Sequence, residues 1–170
     1  MHIYLYTIPD QDLPHASIPV YDEYRQMAFV IRKNPHRLLN SVFQHVSRAG
    51  MSYCYIAVSP DDHPIFKIDH PLPGVGYTIQ SMSSQKKSRI DEYYVQLTEK
   101  AQVFRLDGVE FYFGKDYTGA GLLTRNDKKV AKIEDVDSIQ ANPSRRIRIE
   151  AIDDESASLI ALLHQTFMEA

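Results

Sequence analysis

The sequence holds a single cysteine, Cys54, so an internal disulfide is excluded and a reducing compartment is expected. No stretch approaches the roughly 20 apolar residues that a spanning helix needs. The opening, Met1-His2-Ile3-Tyr4-Leu5-Tyr6, lacks the basic start, long apolar run and small-residue cleavage site of an export signal. These absences together lead to the expectation of a cytoplasmic protein, membrane-peripheral where it meets lipid. Basic charge is not in excess either: the formal net charge is -3, which argues against a general nucleic-acid binder. A local basic patch is still allowed, because a ligand reads local potential rather than the sum.

Motifs for chemistry are equally scarce. Gly74-Val75-Gly76 is too short for a phosphate-cradling fingerprint and no helix follows it, so it reads as a turn or bulge. Asp61-Asp62-His63 and Asp153-Asp154-Glu155 offer oxygen ligands without calcium-loop spacing, and read as a turn and a helix cap. The seven histidines have no ligand spacing. Cys54, between Tyr53 and Tyr55, would be a nucleophile only beside a histidine, and reads as a small buried hydrophobe. No catalytic residue, metal ligand or cofactor is therefore expected, and the chain reads as a non-enzyme.

Alternation is what the sequence has in quantity. At 170 residues it fits one domain, 1–170, large enough for a continuous core. His2 to Ile8 alternates as a strand with two useful faces, and Ile18 to Tyr21 with Met27 to Ile31 flank a polar turn. Tyr53 to Val58 and Ile65 to Ile68 repeat that unit. Tyr93 to Leu97, Val103 to Leu106, Val109 to Phe113, Gly121 to Thr124 and Val130 to Ile133 follow with little slack. Asp107-Gly108 is the strongest hairpin signal, because glycine accepts positive φ without steric cost. In the last strand, Arg145 to Ile152, Arg146, Arg148 and Glu150 share one face while Ile147 and Ile149 take the other. About a dozen short strands at this spacing indicate a closed antiparallel barrel or a sandwich.

Two segments read as helix. Asn34 and Pro35 suit an N-cap and a first helical position. Leu38, Leu39, Val42, Phe43 and Val46 then give one apolar face, and Gly50 can end this amphipathic helix. The second, Asp154 to Met168, is capped by Asp153 or Asp154, holds no Lys or Arg, and is apolar all round. Such a helix is buried on every side or inserted in a membrane. It is too short to span, so the expectation is a barrel of about twelve antiparallel strands around a hydrophobic C-terminal helix. A sandwich with that helix at one open end is the competing arrangement.

Several stretches resemble the tubby C-terminal-like superfamily, which includes tubby proteins, LURP-one-related proteins, phospholipid scramblases and small bacterial members. They are Pro19-Val20-Tyr21-Asp22-Glu23 before Ala28-Phe29-Val30-Ile31, and Ile56 to Asp62 before Ile65-Phe66-Lys67-Ile68. Gly121-Leu122-Leu123 leading to Lys129 to Ile133, and the closing Leu159 to Phe167, complete the likeness. The resemblance implies a twelve-stranded barrel around a hydrophobic helix and, for some members, phosphoinositide or membrane-lipid binding. The basic residues with which tubby proteins contact phosphoinositides have no position-by-position match here.

The candidate ligand-binding residues are therefore the local cations. Lys86, Lys87 and Arg89 form the clearest cluster, able to grip phosphate groups, against a plain reading as a solvated loop. Arg146 and Arg148 would share a rigid strand face, where pairing with Asp or Glu is the plain alternative. His164, inside the apolar helix, needs a hydrogen-bond partner and is expected to titrate near neutral pH or to be a satisfied core residue. The strand tyrosines are expected on a half-exposed barrel face. The leading functional expectation is a non-enzymatic binding or scaffold protein for an anionic lipid headgroup or a partner protein at the outer surface. The alternatives are a small-molecule-binding or hydrolytic enzyme at the barrel rim, and a structural homodimer built on exposed tyrosines.

Overall fold

A computed structural model describes residues 1–8, 16–35, 53–70, 76–96, 99–136 and 145–168. Twelve strands form a closed antiparallel barrel. They are β1 (His2–Ile8), β2 (Ser17–Asp22), β3 (Met27–Pro35), β4 (Tyr53–Val58), β5 (Pro64–His70) and β6 (Tyr77–Ser81), then β7 (Lys87–Tyr94), β8 (Lys100–Leu106), β9 (Val109–Lys115), β10 (Gly121–Arg125), β11 (Lys128–Asp135) and β12 (Arg145–Ala151). Each strand pairs with its neighbours in sequence, and β1 pairs with both β2 and β12, which removes every free edge.

Period two decides which side chains enter the wall's interior. In β12, Ile147 and Ile149 are buried, while Arg146, Arg148 and Glu150 take the opposite face. In β1 the order is the reverse of what hydropathy alone suggests. Tyr4 and Tyr6 are buried and Leu5 is 41% exposed. The strand tyrosines thus are not uniformly on the half-exposed face. Those of β1 point inward because their hydroxyls find partners on the helix, described below, and a buried Tyr hydroxyl needs one.

Two sequence expectations are corrected. Asn34 and Pro35 do not start a helix. They end β3, in register with Cys54 and Tyr53. The apolar positions of the expected amphipathic helix fall within 36–52, which lies outside the described residues. Among the described residues the single helix is α1 (Asp154–Phe167). The strand expected over Tyr93 to Leu97 is instead Lys87–Tyr94, and Tyr77–Ser81 is a strand that the sequence reading passes over. In β7 only Ile90 is buried, so there is no apolar alternation to see. Pairing with β6 and β8 on its two sides makes it a strand.

Asp153 caps α1: its carboxylate accepts the Ser156 N–H at 2.7 Å, with Asp154 and Glu155 in the positively poised first turn. Every residue from Ser156 through Thr166 is buried. The helix packs against β3, β4 and β5 and also against β10, β11 and β12, two opposite arcs of the ring. Its few polar side chains need no strand partner at two places, because Ser158 donates to the Glu155 carbonyl at 2.9 Å and Thr166 to that of Leu162 at 2.8 Å. Each fully buried Leu or Ile of its middle is worth roughly 1.5–3 kcal/mol over exposure.

Since consecutive strands alternate in direction, connections alternate between two rims. The β2–β3, β4–β5, β6–β7, β8–β9 and β10–β11 turns and the start of α1 share one rim, here called the tight rim. The connections that begin at the ends of β1, β3, β5, β7, β9 and β11, and the end of α1, share the other, the open rim.

Candidate functional site

The five cations singled out in the sequence divide into two groups. Lys86 sits in the β6–β7 turn, 3.3 Å from Asp107, and Lys87 and Arg89 lie on exposed positions of β7. Arg146 and Arg148 lie on β12. Around the ring, β12 and β7 are separated by β11, β10, β9 and β8 one way and by β1 through β6 the other. The two groups therefore stand on nearly opposite walls, and no single small ligand spans both.

Of the two walls, that of β12 is neutralised at Arg145 and Arg148, while Arg146 makes no ion pair among the described residues. The Arg148 guanidinium lies 2.8 Å from Glu150 and 3.5 Å from Glu134, and Arg145 lies 2.7 Å from Asp135. Cross-strand register explains it, since Arg148 faces Glu134 across β11–β12. An anion arriving here would compete with carboxylates already in place.

The β7 wall is different. Residues 66 and 68 of β5, and 79 and 81 of β6, are buried, which turns Lys67, Thr78 and Gln80 to the outside. The register runs Lys67 to Gln80 to Lys87 across β5, β6 and β7, and Asp69 to Thr78 to Arg89 in the next row. At about 4.8 Å per strand, Lys67 and Lys87 stand about 10 Å apart with the Gln80 amide between them. Arg89 is 3.5 Å from Asp91 and Lys67 is 3.4 Å from Asp69, whereas Lys87 makes no ion pair among the described residues. The Thr78 hydroxyl is buried without a hydrogen-bond partner, an uncommon state for a buried polar atom. Sequence reasoning found Lys87 and Arg89 but passed over Lys67 and Gln80. Lys67 had a signal, standing between Phe66 and Ile68 where alternation aims it outward; Gln80 had none, because its strand was not recognised.

The buried polar groups are structural. His164 is 3% exposed, and its Nδ1 is 3.1 Å from the Tyr6 hydroxyl, which also accepts from the Gln165 amide at 3.3 Å. Burial, with smaller contributions from the Arg145 and Lys115 charges, pushes its pKa from the usual 6.5 down to about 4, against a weaker opposing pull from Asp135. It is neutral at physiological pH, and the expectation of titration near neutrality is corrected. Tyr4 donates to Asp154 at 2.5 Å, and burial together with that carboxylate raises its phenol well above the ordinary range. Cys54 is buried, and burial likewise raises its thiol, the opposite of an activated nucleophile. No group of three or more His, Cys, Asp or Glu side chains suited to a metal ion occurs among the described residues, and no helix among them is long and apolar enough to cross a membrane.

The family profile described as Tubby C-terminal like domain matches residues 4–170. No curated protein matches the chain, and neither does any solved structure.

Proposed function

Because this chain belongs to the Tubby C-terminal-like domain family, we propose that it is a non-enzymatic binding module whose ligand is an anionic phosphate-bearing lipid headgroup, taken up on the outer wall of β5–β7. In this reading α1 occupies the middle of the barrel, and the outer face of the wall offers the headgroup its binding surface. The observation that carries the proposal is the aligned row Lys67–Gln80–Lys87 with Arg89 beside it, in which Lys87 has no counter-charge among the described residues. Phosphate oxygens accept charge-assisted hydrogen bonds from such a set, and a rigid sheet fixes its spacing. In this reading Arg148, engaged by Glu134 and Glu150, takes no part, and Arg146 stands too far around the ring to join the row.

Vesicle sedimentation tests this. At low ionic strength, where such contacts are strongest, vesicles rich in anionic phospholipid should carry the protein down and purely zwitterionic ones should not. Each cation near an anionic surface is worth about 1 kcal/mol, so the double charge reversal Lys87→Glu/Arg89→Glu should abolish sedimentation while Arg146→Glu leaves it intact. Absence of sedimentation at low salt sinks the proposal.

A second reading rests on a separate observation. Tyr93, Tyr94 and Val95, at the end of β7, are 56%, 71% and 57% exposed. Three consecutive exposed apolar residues suit a protein partner or a second copy of the chain. Light scattering across a concentration series distinguishes the homodimer from the monomer.

A further inference from the structure

At the open rim the inner wall changes character. Ile90, Phe104 and Phe111 belong to or pack against the apolar core. Two residues nearer the rim on the same face, the register places Glu92, Gln102 and Phe113 in one cross-strand row. Beyond them come Lys100 and Lys115. The helix ends short of this level, and a cavity of about 260 Å³ remains above Thr166, Phe167 and Met168, walled by Tyr77, Gln102 and Phe113 and edged by Glu92, Glu99, Lys100 and Lys115.

Two observations make this a binding site rather than a packing gap. Gln102 is only 4% exposed, yet its amide makes no hydrogen bond among the described residues while it lines the cavity. The amide is not sealed in the wall, since among the described residues the one buried side-chain polar atom without a partner is the Thr78 hydroxyl, so it is open to a ligand entering the cavity. The edge charges also balance, two carboxylates against two ammoniums, with Glu92 and Lys100 3.7 Å apart. A ligand with net charge would leave one sign uncompensated in a partly enclosed space. A ligand bearing both signs would not.

We propose that this rim cavity binds a small zwitterion of the free α-amino-acid class. Lys100 and Lys115 take its carboxylate, Glu92 and Glu99 its ammonium, and the Gln102 amide, donor and acceptor at once, bonds it from the floor. The volume, below the roughly 300–1,000 Å³ of drug-sized sites, sets the size class. Tyr77 and Phe167, packed edge to face at 4.6 Å, and Phe113 offer an apolar wall for the ligand's side chain. This site is distinct from the outer wall of β5–β7, and neither proposal depends on the other.

Titration calorimetry and ligand-observed NMR on the full chain, with L-leucine and L-phenylalanine as probes, test it. Saturable binding is expected, weakened at least tenfold when either charge is capped, as in N-acetyl-L-leucine or L-leucinamide. Gln102→Leu and Lys115→Gln should each weaken binding at least fivefold, and the exposed Lys115 provides a variant whose fold is not at stake. Lys87→Glu/Arg89→Glu should leave it unchanged. No saturation by about 10 mM, capped forms binding as well as free ones, or an unaltered affinity in Lys115→Gln overturns the proposal.

Discussion

The two rims of the barrel solve chain reversal in opposite ways. At the tight rim the connections are as short as Asp107-Gly108 and Asn126-Asp127, and the six non-glycine residues with positive φ among the described residues all lie there: Arg25, Asp62, Gln85, Asp107, Asn126 and Asp127. Hydrogen bonds hold these turns, as where the Asp22 carboxylate accepts the Tyr24 and Gln26 N–H groups at 2.9 and 2.8 Å. At the open rim only glycines, Gly76 and Gly119, take positive φ among the described residues. There the end of α1 meets polar and charged inner-wall residues rather than more core. One rim stores backbone strain in turns that close the barrel. The other leaves volume and uncommitted polar groups, the raw material of a site.

The two tyrosines of β1 tie the rims together. Tyr4 reaches Asp154 at the start of α1 and Tyr6 reaches His164 near its end. At about 1.5 Å per residue those helix positions are about 15 Å apart, so the two phenols must splay toward opposite rims. The largest expected effect breaks the open-rim anchor. His164 has a folded pKa below its unfolded one, so the unfolded chain binds more protons between pH 6.5 and 4. The stabilisation is fully present above pH 6.5 and is lost as pH falls toward 4, an expected about 3 kcal/mol. Urea denaturation at pH 7 and pH 4 should show His164→Leu losing that much of the wild type's pH dependence; an identical pH dependence in the two proteins contradicts it.

Next in size is Gly121→Ala, where the open rim turns back into core. An added Cβ would lie 2.6 Å from Ile133 Cγ2, 3.1 Å from Phe113 Cε2 and 3.2 Å from Met168 Sδ. Two of these neighbours are buried and rigid, so overpacking should cost about 2 kcal/mol. Thermal unfolding with an unchanged midpoint would mean that this end of the barrel yields easily. At the tight rim the matching test is Asp153→Ala, which leaves the Ser156 N–H without its cap. The loss should be about 1 kcal/mol, with Asp153→Asn restoring most of it.

The same contrast explains what the sequence made legible. The tight rim is written locally, in Asp-Gly and acidic turns flanked by alternating strands, and so is α1, whose all-round apolarity announces burial. The closed ring of about twelve strands followed from those. What could not be read depends on partners distant in sequence. Tyr4 and Tyr6 turn inward for a helix 150 residues away. Lys87–Tyr94 is a strand only because its neighbours supply the pairing, and the Lys67–Gln80–Lys87 row exists only through register. For Arg148 the acidic pairing weighed from the sequence is met, but its partners Glu134 and Glu150 are named only by register. The rim cavity depends on α1 stopping one layer below Gln102, and no periodicity encodes that.

The smallest effect probes strain at the tight rim. Arg25 holds φ +62 while its N–H donates to the Asp22 carbonyl at 3.0 Å. A left-handed backbone costs a residue with a Cβ roughly 1–2 kcal/mol, less for Asn or Asp, whose short polar side chains bond locally. Four of the six residues in this conformation are already Asn or Asp, and Arg25 is an exception with a long side chain that gains nothing from the geometry. Arg25→Asn should therefore stabilise the protein by about 0.5 kcal/mol without moving any contact. Arg25→Gly relieves the same strain but loosens the unfolded chain, so its net gain should be smaller. If both substitutions destabilise, the Arg25 side chain contributes something at this turn that outweighs the conformational cost, and the tight rim is not simply a set of strained reversals.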